Sequence, residues 1–178
     1  MTMLRDILTI FFLAFTLLLL LTAMVSLFLG VPYVPSKRRV IDALLEYVPK
    51  KNNLKVYDLG CGNGKILFQL EKKKGIIGTG YELAPLVFMF AILQKWLRRS
   101  KVKLRYANFF HQNLSDADII LCYLTPGILE KLGKKLQNEC KKGTLIISHT
   151  FKIPGLNPKH IQERDMAKKL PTLYIYEI

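Results

Sequence analysis

The hydrophobic residues of this chain are distributed in two regimes. Ile7 to Leu29 is an unbroken run of 23 residues without a charge. Beyond it, short apolar runs alternate with amphipathic stretches. The run would rise roughly 35 Å as a helix, against about 30 Å of hydrocarbon in a bilayer. A buried core helix of that length would carry a polar face, and a signal peptide would have a shorter apolar region after a positive start. Ala23 and Ser26 only loosely mimic a cleavage site, and Arg5 and Asp6 cancel. The run therefore predicts a membrane span. Lys37, Arg38 and Arg39 follow the exit turn Val31-Pro-Tyr-Val-Pro35. Positive flanks stay on the cytoplasmic side, so the rest of the chain is expected there. The apolar stretch from Leu83 to Leu93 is bracketed too closely by Glu82 and Lys95 to cross a second time.

The remainder predicts strands and helices in alternation. Ser36 is the expected N-cap of a helix to about Tyr47, with Ile41, Leu44, Leu45 and Val48 on one face. Strands are expected at Leu54–Leu59, Ile76–Glu82, Val102–Ala107, Asp118–Leu124, Thr144–Thr150 and Thr172–Ile178. Helices are expected at Lys65–Lys73, Ala84–Arg99 and from Pro126 to Cys140. Such alternation predicts an α/β fold, Rossmann-like and doubly wound, with an open, mostly parallel sheet and helices on both faces. The expected divisions are an anchor over 1–30, a linker and helix over 31–53, and one ligand-binding domain over 54–178.

Composition sharpens this picture. The 178 residues include 27 Lys+Arg and 13 Asp+Glu, a net charge of +14, yet 51% are hydrophobic. Segregation reconciles the two, because the whole surplus lies after residue 35. Disordered, collagen-like and disulfide-scaffold chains are excluded. Cys61, Cys122 and Cys140 lack C-x-x-C spacing and a nearby histidine pair, so neither a metal site nor a disulfide framework is expected.

The strongest chemical signal is Val56-Tyr-Asp-Leu-Gly60-Cys-Gly62-Asn-Gly64-Lys-Ile66, an apolar strand ending in an acid and a glycine-rich turn. Ligands of open parallel sheets sit at such turns, where glycine lets backbone approach closely. Leu59 and Ile66 stand where a Walker loop needs glycine and a hydroxyl, and Gly64 falls one residue early for a dinucleotide fingerprint. Glu82 follows Gly60 by 22 positions, within the spacing at which an acid accepts ribose hydroxyls. These features predict a nucleoside-binding site.

The pattern D-x-G-x-G-x-G resembles that of class I S-adenosylmethionine-dependent methyltransferases. Gly78-Thr-Gly-Tyr-Glu82-Leu-Ala-Pro85, Trp96-Leu-Arg-Arg99, Tyr106-Ala-Asn-Phe-Phe110, Leu121-Cys-Tyr-Leu-Thr-Pro126 and Gly143-Thr-Leu-Ile-Ile-Ser148, followed by Phe151 and Pro154, extend the likeness. They are similar to the small membrane-anchored protein-lysine methyltransferases that act on ATP synthase subunit c and the adenine nucleotide translocase. The resemblance implies S-adenosyl-L-methionine as cofactor. By it, Asp58 orders the loop, Gly60, Gly62 and Gly64 with Cys61 admit the methionine part, and Glu82 beside Leu83 takes the ribose. Asn108 and Phe109 flank the adenine, and Tyr123 and Thr125 position the acceptor. Asn108 departs from the aspartate common in the family, which removes a charge but keeps hydrogen-bonding capacity.

Methyl transfer needs alignment and a dry site, so the absence of paired carboxylates, a metal cluster or a G-x-S-x-G elbow is consistent with it. His111 and His149 are expected to be ordinary hydrogen-bonded loop residues, with a general-base role the lesser reading. Cys61 reads better as a small packing residue than as a reactive thiolate. The lysine and arginine clusters suit an anionic membrane surface. A DNA-type N-P-P-[F/Y] segment is missing, and no nucleic-acid partner is expected. The expected function is methylation of a lysine on a membrane or membrane-associated protein. The alternatives are methylation of a lipid-like small molecule, such as a quinone precursor, and a non-catalytic cofactor-binding scaffold.

Overall fold

A computed structural model describes residues 2–29, 36–167 and 170–178. The exit turn expected over Val31–Pro35 lies outside the described residues. The first helix, α1, runs Thr2–Leu29. Among the described residues it is the one helix long and apolar enough to cross a membrane, with none of its most apolar window buried against the rest of the chain. Thr9, Thr16 and Thr22 donate their hydroxyls to the carbonyls four residues back, at 2.9 Å each. Hydroxyls satisfied within the helix are compatible with an apolar surrounding.

Helix α2 (Arg38–Tyr47) turns Val40, Ile41, Ala43, Leu44 and Leu45 inward. Its N-cap is Lys37 rather than the expected Ser36. The first helical bonds run from the Val40 and Ile41 amides to the Lys37 carbonyl, so the helix starts one residue later. The Ser36 carbonyl instead accepts from Lys65 Nζ at 3.4 Å.

Then follow β1 (Lys55–Leu59), α3 (Lys65–Lys74), β2 (Ile77–Glu82), α4 (Pro85–Arg98) and β3 (Lys103–Tyr106). A 3-10 turn at Phe109–His111 leads to β4 (Ile119–Cys122), α5 (Pro126–Glu139) and β5 (Leu145–His149). The chain closes with β6 (His160–Gln162) and β7 (Leu173–Glu177). Beyond α1, which starts five residues before the expected span, each expected strand and helix forms, with bounds within two residues of expectation. Strand β6 was not expected. It is three residues long, largely exposed, and exists because β7 offers an edge to pair with.

The seven strands form one sheet in the order β3-β2-β1-β4-β5-β7-β6, parallel except where β7 pairs antiparallel with β5 and β6. This is the class I methyltransferase arrangement. Two cores flank it. One joins α2 and α3 to Val56, Ile119, Leu121 and Ile147, and the other joins α5 to Ile120, Ile146 and Tyr176. The alternation along each strand divides its side chains between the two cores, as two-sided burial requires. All five parallel strands therefore end on the same edge, where the glycine turn lies.

Candidate cofactor and acceptor site

The glycine turn is built from left-handed backbone. Gly60, Gly62 and Gly64 have φ of 79°, 56° and 74°, a region that other residues enter only with strain. The amides of Gly60 and Cys61 both donate to the Tyr81 carbonyl, at 3.0 and 2.9 Å, which folds the turn over the end of β2. Gly64 then caps α3 at its start, and Gly75, also left-handed, closes it by donating to the Glu71 carbonyl. A Cβ at Gly64 would stand 2.8 Å from Phe68 Cζ, and one at Gly60 3.2 Å from Leu124 Cδ2. The Cys61 side chain points into the interior rather than out of the turn. Gly80 makes room for it, since a Cβ there would lie 2.7 Å from Cys61 Sγ. Burial, followed by the charges of Asp58 and Glu82, pushes this thiol well above its ordinary value, so it is a packing thiol and not a thiolate.

Two carboxylates meet under the turn. Glu82 Oε2 accepts from the Gly62 amide at 2.9 Å, and Oε1 accepts from the Leu83 and Ala84 amides at 2.8 Å each. Asp58 is buried, and its Oδ2 has no hydrogen-bond partner among the described residues. Burial, with the Glu82 charge adding to it, pushes the Asp58 carboxyl up to about 7. Within a chain of net charge +14 this is a locally acidic site, and the ion pairs among the described residues involve neither group. A buried carboxyl with one unpaired oxygen among the described residues, a second carboxylate and a left-handed glycine turn suit a cationic ligand with a sugar hydroxyl face. S-adenosylmethionine, with its ammonium and sulfonium, is of that kind.

The neighbouring strand ends carry the other predicted residues. Asn108 Oδ1 accepts from the Phe110 amide at 3.0 Å and caps the 3-10 turn. Phe109 is buried in the second core, its ring 4.6 Å from that of Phe110, which is half-buried. Tyr123 follows β4 and is half-buried, and Thr125 is the N-cap residue of α5 without a side-chain capping bond. His111 closes the 3-10 turn and is exposed.

His149 departs from the expected hydrogen-bonded loop residue. It ends β5, and its ring centroid lies 4.1 Å from that of Tyr123. Its Nδ1 is buried without a hydrogen-bond partner among the described residues, and burial pulls the imidazole down to about 4, so it is neutral at pH 7. The chain then bends sharply. The Phe151 amide donates to the His149 carbonyl at 2.9 Å across Thr150, whose φ is 71°. That is a γ-turn of the strained hand, pinned by a 2.7 Å bond from Ser148 Oγ to the Phe151 carbonyl. The pairing of Tyr123 with His149 follows from strand register rather than from any local pattern in the sequence. Cys122 is in register with Ser148, so each ring residue stands one position beyond a paired one.

Known proteins resemble this chain closely. A family model described as the ANTKMT methyltransferase domain matches residues 58–160. A protein-lysine N-methyltransferase of Saccharolobus islandicus (strain REY15A) is 32% identical over 151 residues, 83% of this chain and 94% of that protein. The mouse adenine nucleotide translocase lysine N-methyltransferase is 29% identical over 136 residues, 75% of this chain but 59% of its own length. Among solved structures, an RNA methyltransferase from Salinibacter ruber in complex with S-adenosyl-L-homocysteine superposes with a TM-score of 0.73 at 28% identity. It covers 82% of this chain and 94% of that one.

Proposed function

The chain belongs to the ANTKMT methyltransferase domain family and is an S-adenosylmethionine-dependent methyltransferase, and from that premise we propose that it methylates a lysine of a membrane or membrane-associated protein. The reading is supported by the likeness to a protein-lysine N-methyltransferase over 83% of this chain and 94% of that protein. The mouse relative, by its name a lysine N-methyltransferase of the adenine nucleotide translocase, points to the kind of acceptor.

The cofactor supplies a methyl group already activated on a sulfonium. The residues have the remaining tasks of holding it, aligning the acceptor and excluding water. Asp58 and Glu82 offer their charges to the ammonium and ribose ends, while Gly60, Gly62 and Gly64 let the methionine part approach the backbone. Cys61 and Leu83 contribute main chain at the rim. Asn108 and Phe109 border the adenine. Tyr123 and Thr125 face the acceptor, with the neutral His149 ring backing Tyr123. An acceptor lysine must first lose a proton from a reference pKa of about 10.4, and a poorly hydrated slot lowers that value. No dedicated base is needed. With an imidazole held near 4, His149 is suited to packing rather than to deprotonating an ammonium.

In this reading residues 1–30 anchor the chain in a membrane, 31–53 lead away from it, and 54–178 form the enzyme. The cationic Lys37, Arg38 and Arg39 put that domain on the cytoplasmic side. The test is incubation of native host membranes lacking the gene with purified full chain and methyl-labelled cofactor. Label on a protein band, with one to three methyl additions on lysine by mass spectrometry, is the expected result. Label in solvent-extractable lipid or in RNA would reassign the acceptor. No label anywhere would leave a cofactor-binding scaffold.

A further inference from the structure

Helix α4 is amphipathic with its sides reversed. Ala91 is its one fully buried residue, and Gln94 and Lys95 are half-buried toward the domain. The outward side carries Met89, Phe90, Leu93, Trp96 and Leu97, with Trp96 74% and Leu97 65% exposed. These positions fall on a single stripe at helical spacing, so the solvent side of the helix is its greasy side. Soluble surfaces scatter such residues singly, and a contiguous stripe of this size marks a contact.

Three observations identify the contact. The stripe begins where α1 touches the domain, for the Leu86 amide at the start of α4 donates to Thr22 Oγ1 of α1 at 3.2 Å. The apolar surface of α4 therefore continues that of the candidate membrane span. Beyond its far end the chain carries the exposed cations Arg99, Lys101 and Lys103. The acid beside them, Glu71, is occupied by Ser100 Oγ and the Lys101 amide. Finally, the most exposed side chain is a tryptophan, the aromatic residue best suited to the boundary between headgroups and acyl chains.

We propose that α4 lies in the surface of an anionic bilayer, its stripe sunk to the acyl boundary and Arg99, Lys101 and Lys103 among the headgroup phosphates. Interfacial helices bind in this way, by buried apolar area together with charge attraction. Glu82 lies three residues before the start of α4, so this contact holds the rim of the cofactor site near the membrane surface. The inference rests on α1 spanning the membrane and is independent of which molecule accepts the methyl group.

Trp96 is the only tryptophan in the chain and reports on the stripe directly. The experiment places the full chain in nanodiscs of phosphatidylcholine and phosphatidylglycerol and compares ordinary lipid with lipid brominated at the upper acyl chain. Bromine should quench Trp96 emission by about twofold or more. The double variant Leu93→Glu/Leu97→Glu should lose most of that quenching without a fall in melting temperature, because both side chains are exposed. Equal emission in brominated and ordinary discs overturns the proposal. So does shielding of Trp96 from iodide without bromine quenching, which would mean a second copy or another protein on the stripe. Equal quenching in discs of phosphatidylcholine alone overturns the role given to the three cations. If the chain does not enter discs at all, α1 is no span, and the proposal falls with that reading rather than with the methyltransferase assignment.

Discussion

The carboxylate of Glu82 accepts a hydrogen bond from the Gly62 amide at 2.9 Å, across 20 residues of chain. Together with its bonds to the Leu83 and Ala84 amides, this makes Glu82 a clasp between the glycine turn and the start of α4. A neutral isostere cannot serve all three donors, because one of its oxygens becomes an NH2 group. Glu82→Gln should therefore weaken binding of S-adenosylhomocysteine at least about tenfold, the scale of one hydrogen bond to a charged group. Calorimetry reads the affinity and a thermal melt reads the clasp. Unchanged values for both would show that Glu82 has neither role.

Gly64→Ala should destabilise the protein by about 1–2 kcal/mol from the left-handed backbone alone. Contact with Phe68, 2.8 Å from the new Cβ, adds to this. Phe68→Leu in the same chain should return the contact part and leave the backbone part. Denaturant unfolding of the single and double variants separates the two. Strict additivity would mean that the ring already moves aside freely.

Asp58 and His149 should give opposite pH slopes. The Asp58 carboxyl is raised from 3.8 to about 7 in the folded protein. It contributes stability that is complete below pH 3.8 and lost as pH rises through 7. The His149 imidazole is lowered from 6.5 to about 4. Its contribution is present above pH 6.5 and lost as pH falls through 4. Relative to the parent protein, Asp58→Asn should gain melting temperature as pH rises from 4 to 7, and His149→Phe should gain it as pH falls from 6.5 to 4. Parallel melting profiles would contradict both shifts. A cationic ligand favours ionised Asp58, so cofactor affinity should also rise through pH 7 with release of a proton.

The glycine turn and α3 are legible in the sequence because their determinants are local. Gly64 and Gly75 mark the two ends of the helix, and the acid at 82 stands at a recognisable spacing. What the sequence hides depends on partners far along the chain. The three residues of β6 have no pattern of their own and pair only once β7 is in place. Tyr123 and His149 meet through the β4–β5 register, which no local motif encodes. The stripe of α4 is plain as periodicity, yet periodicity alone assigns an apolar side to the core. Here β2 and β3 receive the opposite side.

Gly133 of α5 lies against the loop after β5. A Cβ there would be 2.6 Å from the Pro154 carbonyl oxygen and 3.1 Å from Ile153 Cγ2. Gly133→Ala should cost about 1–3 kcal/mol of stability through overpacking, despite the better helix propensity of alanine. Cofactor affinity should stay unchanged, since the glycine turn lies elsewhere. A stabilised variant in urea unfolding would show that the loop yields without cost.

The thiol of Cys61 fills the space left by the missing side chain of Gly80. Neither position can drift alone as lineages diverge: a methyl at 80 requires the sulfur at 61 to shrink or withdraw. Descendants of this chain are therefore expected to trade bulk between the two sites in step. Cys61→Gly should restore part of the stability lost by Gly80→Ala, the remainder being the contact with Leu67 Cδ1, 2.9 Å from the new Cβ, and would record beneath the nucleoside loop a mutual dependence that inspection of either residue by itself could not disclose.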